Sequence, residues 1–329
     1  MTAVVHAARR RLRRDDRVDR DAWYAARWSV AAGEGGWDIE WVDGGFTELR
    51  RDGATLRVRG SDVGIDTYLT YRIAGNKGIT GRRLGEAGVP IVDSTEFGVL
   101  DVRAILDHVS RDPRRYVLKP AAGTGGGAGV TVSPSDRRMV LRSLRDAGAF
   151  SRRVRVDERI DGRVARVLIL RDRVLDAVVR TPAAVTGDGR STIGELVRTE
   201  NERRRRLGPA ATGFIGLGTD HHAALRRAGL SSSAVPAEGQ CVVAAGRSNT
   251  GSELESTRID LGPEAADVAR RAAQAVGVQL AGVDVVLDDT GAALAVLEVN
   301  TGPGLHWHVL TSNDPFDPFR AILDDVARR

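Results

Sequence analysis

The chain has 329 residues, of which 42% are hydrophobic and 28% are charged, and its formal net charge at pH 7 is +5. A chain of this length and composition can fold as two or three globular domains. It has no run of the roughly 20 apolar residues that a membrane span needs, and no apolar segment follows its arginine-rich start, as it would in a secretory signal. Membrane insertion and secretion are therefore not expected.

Cysteine and arginine usage bear on compartment and partners. The single Cys241 excludes an internal disulfide, which fits the reducing cytoplasm, and its place in the run CVVAA predicts a small buried residue. Arginines cluster at 9–14 and 203–206, but no aromatic residues alternate with them as a base-stacking surface would require. We therefore expect solvated helix faces and no nucleic-acid partner, with nucleic-acid binding as the alternative.

Residues 1–75 differ from the rest of the chain, because they hold four of the five tryptophans. Alternating polar and apolar residues predict strands at 55–60 and 66–73, and a helix is expected near 18–32. Further along, the pattern changes to alternating helices and strands. Helices are predicted at 76–88, 101–110 and 135–148, and strands at 90–97, 114–120, 129–133 and 152–160.

Lysine is rare in this sequence. Among 49 basic residues only two are lysines: Lys77, in the first turn of a predicted helix, and Lys119, at the end of a predicted strand. A compact ammonium and a planar guanidinium are not interchangeable at a crowded phosphate. The two positions are therefore candidates for phosphate contact.

A glycine-rich loop at 121–129 follows Lys119 after one proline. Backbone N–H groups without side chains can close around phosphate oxygens. A strand, not a helix, is predicted after the loop, so the loop does not fit a dinucleotide-binding fingerprint, and the chain has no Walker A pattern. A flexible flap over phosphates is the better interpretation.

The last part of the chain is predicted to contain a hairpin of 163–170 with 173–183, helices at 191–206, 262–277 and 314–329, and strands at 280–289 and 293–300. Arg166 and Arg180 lie in the apolar hairpin strands, where a guanidinium needs an anion. They either form structural salt bridges, for example with Asp157 or Asp188, or clamp a phosphate or carboxylate ligand.

Acidic and amide side chains meet at two predicted strands. Glu298 and Asn300 are two apart and so share one face, and an adjacent antiparallel strand would bring Asp284 beside them. Two carboxylates and an amide oxygen suit Mg²⁺. A zinc site at His306 and His308 is a weak alternative, because no cysteine and no third histidine lies near them in the sequence.

In this order, the motifs resemble the ATP-grasp superfamily over roughly residues 76–329. The similarity is greatest to the ATP-grasp part of cyanophycin synthetase, and more distant to D-alanine–D-alanine ligase, glutathione synthetase and ribosomal-protein glutamate ligases. The segments that carry the resemblance are NKGITGRRLGEAGVPI, YVLKPAAGTGGGAGVTV, VRVDERIDGRVARVLIL, VVRTPAAVTGDGRSTIGELVRTEN and LAGVDVVLDD with VLEVNTGPGLHWH.

The resemblance implies a role for each matching residue. Arg166 and Arg180 would act near the triphosphate and the acceptor, and Ser248–Ser252 resembles a segment near the phosphates. ATP would be bound by Lys77, Lys119, Gly123, Thr124, Gly125, Gly126, Gly127, Asp157, Glu158, Arg159 and Ile160, with 157–160 holding adenine largely through the backbone. Asp284, Glu298 and Asn300 would bind two Mg²⁺ ions, with Mn²⁺ as a substitute. Val164 stands where many relatives have a ribose-binding glutamate, so Glu158 is a candidate for that contact.

The resemblance also implies a fold and an activity. The expected fold is an α+β ATP-grasp fold, with subdomains at 76–163 and 164–329, and a small N-terminal α/β domain at 1–75. The expected activity is an ATP-dependent carboxylate–amine ligase that acts through an acyl-phosphate, standing alone and serving amino acids or small peptides in specialised metabolism. Alternatives are a carboxylate kinase or non-amine ligase, and a non-catalytic ATP-binding protein. Relatives are commonly dimers, so the resemblance is compatible with a homodimer here.

Overall fold

The computed structural model describes residues 20–42, 45–110, 112–123, 127–206, 214–247, 256–311, 313–314 and 316–328. Their strands form four antiparallel sheets of three, four, five and two strands, with helices packed around them. Within these ranges no helix is both long and apolar enough to cross a membrane.

The N-terminal unit combines one long helix with a three-stranded meander. Its elements are α1 (20–35), β1 (Asp38–Val42), β2 (Phe46–Arg51) and β3 (Ala54–Val58), with the strands in the order β1-β2-β3. Leu49 of β2 and Leu56 of β3 are buried in one cluster with Trp28 and Trp37. Two of the four tryptophans therefore fill this core, whereas Trp41 is 62% exposed.

Residues 66–73, predicted as a strand, lie instead mostly in helix α2 (Tyr68–Ala74). Thr67 caps this helix, because its side-chain oxygen accepts a hydrogen bond from the backbone N–H of Thr70 at 3.1 Å. The alternating polar and apolar residues do not form a half-buried sheet face, because the apolar position Tyr68 is 78% exposed. The strand prediction was wrong because a local cap and helical packing prevailed over a short period-two pattern.

The central part of the chain builds a four-stranded sheet in the order β4-β7-β5-β6. Its elements are α3 (Lys77–Glu86), β4 (Ser94–Gly98), α4 (Val102–His108), a 3₁₀ turn (Pro113–Arg115), β5 (Tyr116–Pro120), β6 (Thr131–Val132), α5 (Arg137–Gly148) and β7 (Arg153–Glu158). Asp136 caps α5 by accepting the Met139 N–H at 2.8 Å. Leu118 and Val156 of the sheet pack against Leu144 of α5, which buries one face of the sheet.

The five-stranded sheet has the order β12-β9-β8-β13-β14. Its strands and the helix packed on it are β8 (Arg163–Leu170), β9 (Arg173–Arg180), β12 (Thr257–Arg258), α8 (Pro263–Val276), β13 (Leu280–Leu287) and β14 (Ala293–Thr301). The predicted β8–β9 hairpin is confirmed. Helix α8 begins at a proline in its first turn and lies on β8, β13 and β14, so its small residues form the core with the valines of these strands.

Between β9 and β12 the chain forms a smaller layer with its own core. Its elements are β10 (Ala184–Thr186), α6 (Ile193–Arg206), α7 (Thr219–Arg227) and β11 (Cys241–Val243), and the two strands pair antiparallel. Cys241 was expected to be buried, but it is exposed. That prediction was wrong because Val242 turns inward, which places its neighbours on the outer face of a three-residue strand.

The N-terminal unit and the five-stranded sheet share one core. Leu168 of β8 and Leu280 of β13 are buried in the same cluster as Trp28. The chain ends in α9 (His306–Val309) and α10 (Pro318–Ala327). Phe319 of α10 closes this core, with its ring centroid 4.7 Å from that of Trp28 in an edge-to-face arrangement. The domain boundaries after residues 75 and 163 stay predictions.

This shared core predicts that Phe319→Ala lowers the free energy of unfolding by about 3–5 kcal/mol, because it removes a buried ring from the contact between the first and last helices. Leu100→Ala is the matched control, since Leu100 is 88% exposed and should cost no more than about 0.5 kcal/mol. Urea denaturation followed by tryptophan fluorescence measures both. Equal losses in the two variants would contradict a common core.

Candidate functional site

A cavity of about 460 Å³ lies between the four-stranded and five-stranded sheets. Valines of β5 and β6 line one side, and Val286 of β13 and Leu297 of β14 line the other. The end of β7, the connection 159–162 and the start of β8 form its rim, which includes Glu158, Arg159, Ile160 and Val164. Its apolar walls and polar rim suit a flat aromatic ring that offers hydrogen-bonding groups at one edge.

Lys119 lines this cavity from β5. Its ammonium contacts the carboxylate of Asp157, whose other oxygen accepts the Arg155 Nε at 2.7 Å. All three side chains are almost fully buried. Asp157 was predicted to hold adenine with residues 158–160 or to pair with Arg166 or Arg180, but its side chain is the counter-ion of Lys119. The signal was present in VRVDE, where Arg155 and Asp157 are two apart and so share a strand face.

Lys77 reaches the same cavity from the opposite direction. It begins α3, whose cap Asn76 accepts the N–H groups of Gly78 and Ile79 at 3.1 Å. The Lys77 ammonium contacts the Glu298 carboxylate on β14, so this ion pair links the first helix of the central part to the five-stranded sheet. The only two lysines of the chain therefore border one cavity, and their predicted contact with phosphate stays a prediction.

The acidic residues meet as the strand pattern predicted. In the β13–β14 register, Asp284 lies opposite Glu298 and Gly282 lies opposite Asn300. On its other side, Asp284 lies opposite Arg166 of β8. The three predicted metal ligands therefore occupy one edge region of two adjacent strands.

Asp284 is the anion that pairs with both buried arginines. Its carboxylate accepts Arg166 Nε at 2.6 Å and contacts Arg180 Nη2 at 2.9 Å. Asp157 and Asp188, the partners considered from the sequence, pair elsewhere. Burial alone raises the pKa of the Asp284 carboxyl, but the two guanidinium charges outweigh burial and hold that pKa below its usual range.

Arg180 has a hydrogen-bond donor that no described residue uses. Its side chain is 4% exposed and its guanidinium lies 5.6 Å from the ring centroid of Trp307. The buried Arg180 Nε has no hydrogen-bond partner among the described residues. A buried charged donor of this kind is costly when it is left unpaired, and Arg180 lines the cavity, so it remains a candidate for contact with an anionic ligand.

A second cavity of about 660 Å³ adjoins the first and is lined by Asn300, by the loop after β14 and by the N-terminal unit. Arg180, Asp284 and Glu298 border both cavities. Gly127 and Arg247 do so as well, and the Gly127 carbonyl accepts Arg247 Nη1 at 2.6 Å. A group bound in the first cavity can therefore meet a group bound in the second at this junction.

The glycine-rich flap is described only at its ends. Gly123 and Gly127 adopt positive φ angles of 81° and 69°, which favour glycine. Thr124, Gly125 and Gly126 lie outside the described residues, as does the predicted phosphate segment 248–252. The closing motion of the flap stays a prediction.

The donor set at the acidic edge fits a hard divalent cation. Each carboxylate has more lone pairs than its arginine or lysine contacts use, and Glu298 is about one-third exposed. The Asn300 amide donates through Nδ2 to the Gly282 carbonyl at 3.2 Å, which leaves its oxygen to bind a metal. The described residues contain no group of three or more His, Cys, Asp or Glu placed to hold a metal ion, so this mixed carboxylate–amide set is the candidate.

The two histidines after β14 have separate structural roles. The His308 Nδ1 lies 2.6 Å from the Asp176 carboxylate, which also accepts Arg258 Nε at 2.6 Å. The His306 Nδ1 lies 2.9 Å from the Tyr24 hydroxyl. Burial lowers the pKa of both histidines, and that of His306 falls well below its usual value. Their different partners give no support to a shared zinc site.

Comparison with known proteins shows a shared fold and a family match over part of the chain. The solved structure of a bifunctional glutathione synthetase from Pasteurella multocida has a TM-score of 0.54 and 22% identity, covering 91% of this chain and 43% of that chain. This likeness shows the fold, and the predicted ATP-grasp fold is confirmed. The family described as the RimK-like ATP-grasp domain matches residues 241–313, the segment that carries Asp284, Glu298 and Asn300.

Relatives among curated proteins agree with the resemblance predicted from the motifs. Cyanophycin synthetase of Trichormus variabilis is 30% identical over 267 residues, covering 78% of this chain and 29% of that protein. The glutathione biosynthesis bifunctional protein GshAB of Mannheimia succiniciproducens is 27% identical over 258 residues, covering 74% of this chain and 34% of that protein. The chain thus spans about a third of the length of these relatives.

The shared carboxylate predicts a stability change. Asp284→Asn should lower the free energy of unfolding by about 3–5 kcal/mol, because it leaves the two arginines buried without their counter-ion. Asp289→Asn, at an exposed position, is the control and should change little. Urea denaturation at pH 7 compares the two.

The same variants test the pH dependence. Since the folded-state pKa of Asp284 is lowered, its contribution is complete above the usual carboxyl pKa of about 3.9 and is lost as the pH falls through the lower folded value. The difference between wild type and Asp284→Asn should therefore shrink below about pH 4. A difference independent of pH would argue against the ion pairs.

Proposed function

We propose that the protein is an ATP-dependent carboxylate–amine ligase that forms an amide bond through an acyl-phosphate. The observation that carries this proposal is the junction of the two cavities. The first cavity, which both lysines border, opens at Arg180 and Glu298 into the second cavity, which is large enough for the reacting substrates. The ATP-grasp fold and relatives named for glutathione biosynthesis and cyanophycin synthesis support the same class of reaction.

In this proposal ATP occupies the first cavity. Adenine lies between the apolar walls with its edge toward the backbone of 157–160, and Glu158 contacts the ribose in place of Val164. Glu158 borders the cavity and has one exposed ion pair, with Arg115 at 2.5 Å, which supports this assignment. Lys77 and Lys119 contact phosphates, and the flap covers them.

Asp284, Glu298 and Asn300 would hold the divalent cations. Two Mg²⁺ ions are expected from the family, with Mn²⁺ as a substitute. When bound, these ions would neutralise charge on the β- and γ-phosphates. The lysines and arginines contribute fixed positive charge to the same region, which is the main contribution a protein makes to phosphoryl transfer.

The reaction has two steps. An oxygen of the substrate carboxylate attacks the γ-phosphorus, the bond to the β-phosphate oxygen breaks, and ADP leaves. The amine nitrogen then attacks the acyl carbon, phosphate leaves, and the nitrogen loses a proton as the amide forms. Arg166 and Arg180, whose Nε has no partner among the described residues, are assigned the role of stabilising the negative charge of the phosphoryl group as it is transferred at the junction. A closed flap would exclude water, which otherwise hydrolyses the acyl-phosphate.

The substrates in this proposal are amino acids or small peptides, and the compartment is the cytoplasm. Neither a membrane nor a nucleic acid is needed for the reaction. A homodimer is compatible with it. The first experiment is a screen for ADP release with amino acids and dipeptides, singly and in pairs, with the product mass measured. ADP release that needs no amine would favour a carboxylate kinase instead.

Two substitutions test the proposed phosphate and cation sites. Lys119→Ala and Glu298→Ala should each reduce ADP release by about 100-fold or more, because Lys119 supplies positive charge to the triphosphate and Glu298 would hold the cation. Arg82→Ala and Glu238→Ala, at exposed positions away from both cavities, are the matched controls and should retain full activity. Circular dichroism should show that all four variants are folded. Undiminished turnover in both site variants would refute the proposal.

A further inference from the structure

The second cavity has a wall that the proposed chemistry does not use. The N-terminal unit forms this wall from Arg20 and Tyr24 of α1, the turn 59–62 and Tyr71 of α2. These residues border the second cavity but not the first, so they lie away from the junction at Arg180, where bonds would form. A substrate that fills the cavity therefore presents one end to the junction and another end to this wall.

The wall carries two arginines that are available to a ligand. Arg20 and Arg59 make no ion pair with any residue that the structure describes, whereas Arg166 and Arg180 share Asp284. A guanidinium binds a carboxylate through two parallel hydrogen bonds, which also determines the orientation of the carboxylate. The wall can thus hold a carboxylate.

The same wall carries two carboxylates. The Asp21 Oδ1 lies 3.7 Å from the position that a Cβ on Gly60 would occupy, so this carboxylate is beside the turn. Asp62 accepts the N–H of Gly64 at 2.9 Å through Oδ1 and also interacts with the Tyr71 hydroxyl on the same wall; a carboxylate has about four lone-pair positions, so part of its capacity remains for a ligand. Positive and negative groups therefore line the same wall, a combination that suits a zwitterion better than a single anion.

The turn that carries these groups is held in place from both sides. It closes on itself through two backbone hydrogen bonds of 2.8 and 3.0 Å between residues 59 and 62. The Gly60 carbonyl accepts Trp28 Nε1 at 2.9 Å, and the Ser61 hydroxyl donates to the Gly302 carbonyl at 2.8 Å. Gly302 follows β14 directly, so the wall is tied to the strand that carries the acidic edge.

We propose that this wall binds the α-amino-acid head group of one substrate, with Arg20 and Arg59 on its carboxylate and Asp21 and Asp62 on its ammonium. The reacting group of that substrate is then at its other end, on the side chain, and the amide formed is a side-chain linkage. This assignment rests on the proposed function, because it names one substrate class of that reaction. The cavity volume of about 660 Å³ accommodates such a molecule together with a second substrate.

Head-group analogues test the assignment. The probes are glutamate, aspartate, lysine and ornithine, each with its N-acetyl and its carboxamide derivative, offered with ATP and a second amino acid. In the wild type, blocking either end of the head group should raise KM about tenfold or more, since each removes a charged hydrogen bond. Mass spectrometry with fragmentation should show a side-chain amide.

Variants assign each interaction to a residue. Arg20→Gln and Arg59→Gln should raise KM for the free amino acid and remove the penalty for the carboxamide, while Asp21→Asn and Asp62→Asn should remove the penalty for N-acetylation. Arg72→Gln, an exposed arginine of α2 outside the cavity, is the control and should behave as wild type. Thermal unfolding checks that each variant is folded. An α-linked product, or penalties that persist unchanged in all four variants, would overturn the inference.

Equilibrium dialysis with the same radiolabelled probes separates this inference from the proposed function. Binding that is weakened by blocking the head group and by these substitutions, without any ADP release, would reject the ligase and retain the wall as a head-group site. If blocking the head group changes neither binding nor turnover, the head-group site at this wall is refuted and the proposed ligase activity is not.

Discussion

The carboxylate of Asp284, shared between two buried guanidinium groups, is the interaction on which the site depends. Every residue of β13 is buried, so a charge on this strand needs close counter-charges. The adjacent strand supplies Arg166, and the next strand supplies Arg180. One carboxylate cannot satisfy all the donors of two guanidinium groups, and the surplus falls at the junction of the two cavities. Positive charge is thereby held in place before any ligand binds, which is how enzymes avoid reorganisation during reaction.

The two lysines are also positioned by buried or partly buried carboxylates. Lys77 and Lys119 are each held by a carboxylate, Glu298 and Asp157, that belongs to a different element. Lys77 joins a helix of the central part to β14, so the charge of the cavity depends on the relative position of the two sheets. A ligand phosphate would add to, or exchange with, these internal pairs. The cavity thus combines apolar walls with two paired ammonium groups, a combination that suits the amphipathic nucleotide of the proposed function.

Much of this could be predicted from local sequence. Period-two spacing correctly placed Glu298 and Asn300 together, and antiparallel pairing brought Asp284 beside them, because strand geometry leaves little freedom once the strands are assigned. The rarity of lysine singled out two residues that border one cavity, and their contact with phosphate stays a prediction. Short patterns were less reliable. Residues 66–73 alternate like a strand yet mostly form a helix, and Cys241 lies in an apolar run yet faces outward, because neither pattern reports which neighbour covers it.

By itself the sequence determined the order of most helices and strands, the ATP-grasp resemblance and the set of charged residues for the site, since these follow from periodicity and motif spacing. Only the tertiary structure decided which charges pair. Asp284 was predicted as a metal ligand, which stays a prediction, and the structure shows it as the counter-ion of both arginines; Asp157 is the partner of Lys119. The tertiary structure also brought α1, the turn 59–62 and Tyr71 together as one wall of the second cavity. Pairings between distant segments depend on how sheets stack and which side chains are removed from water, and no local pattern carries that information.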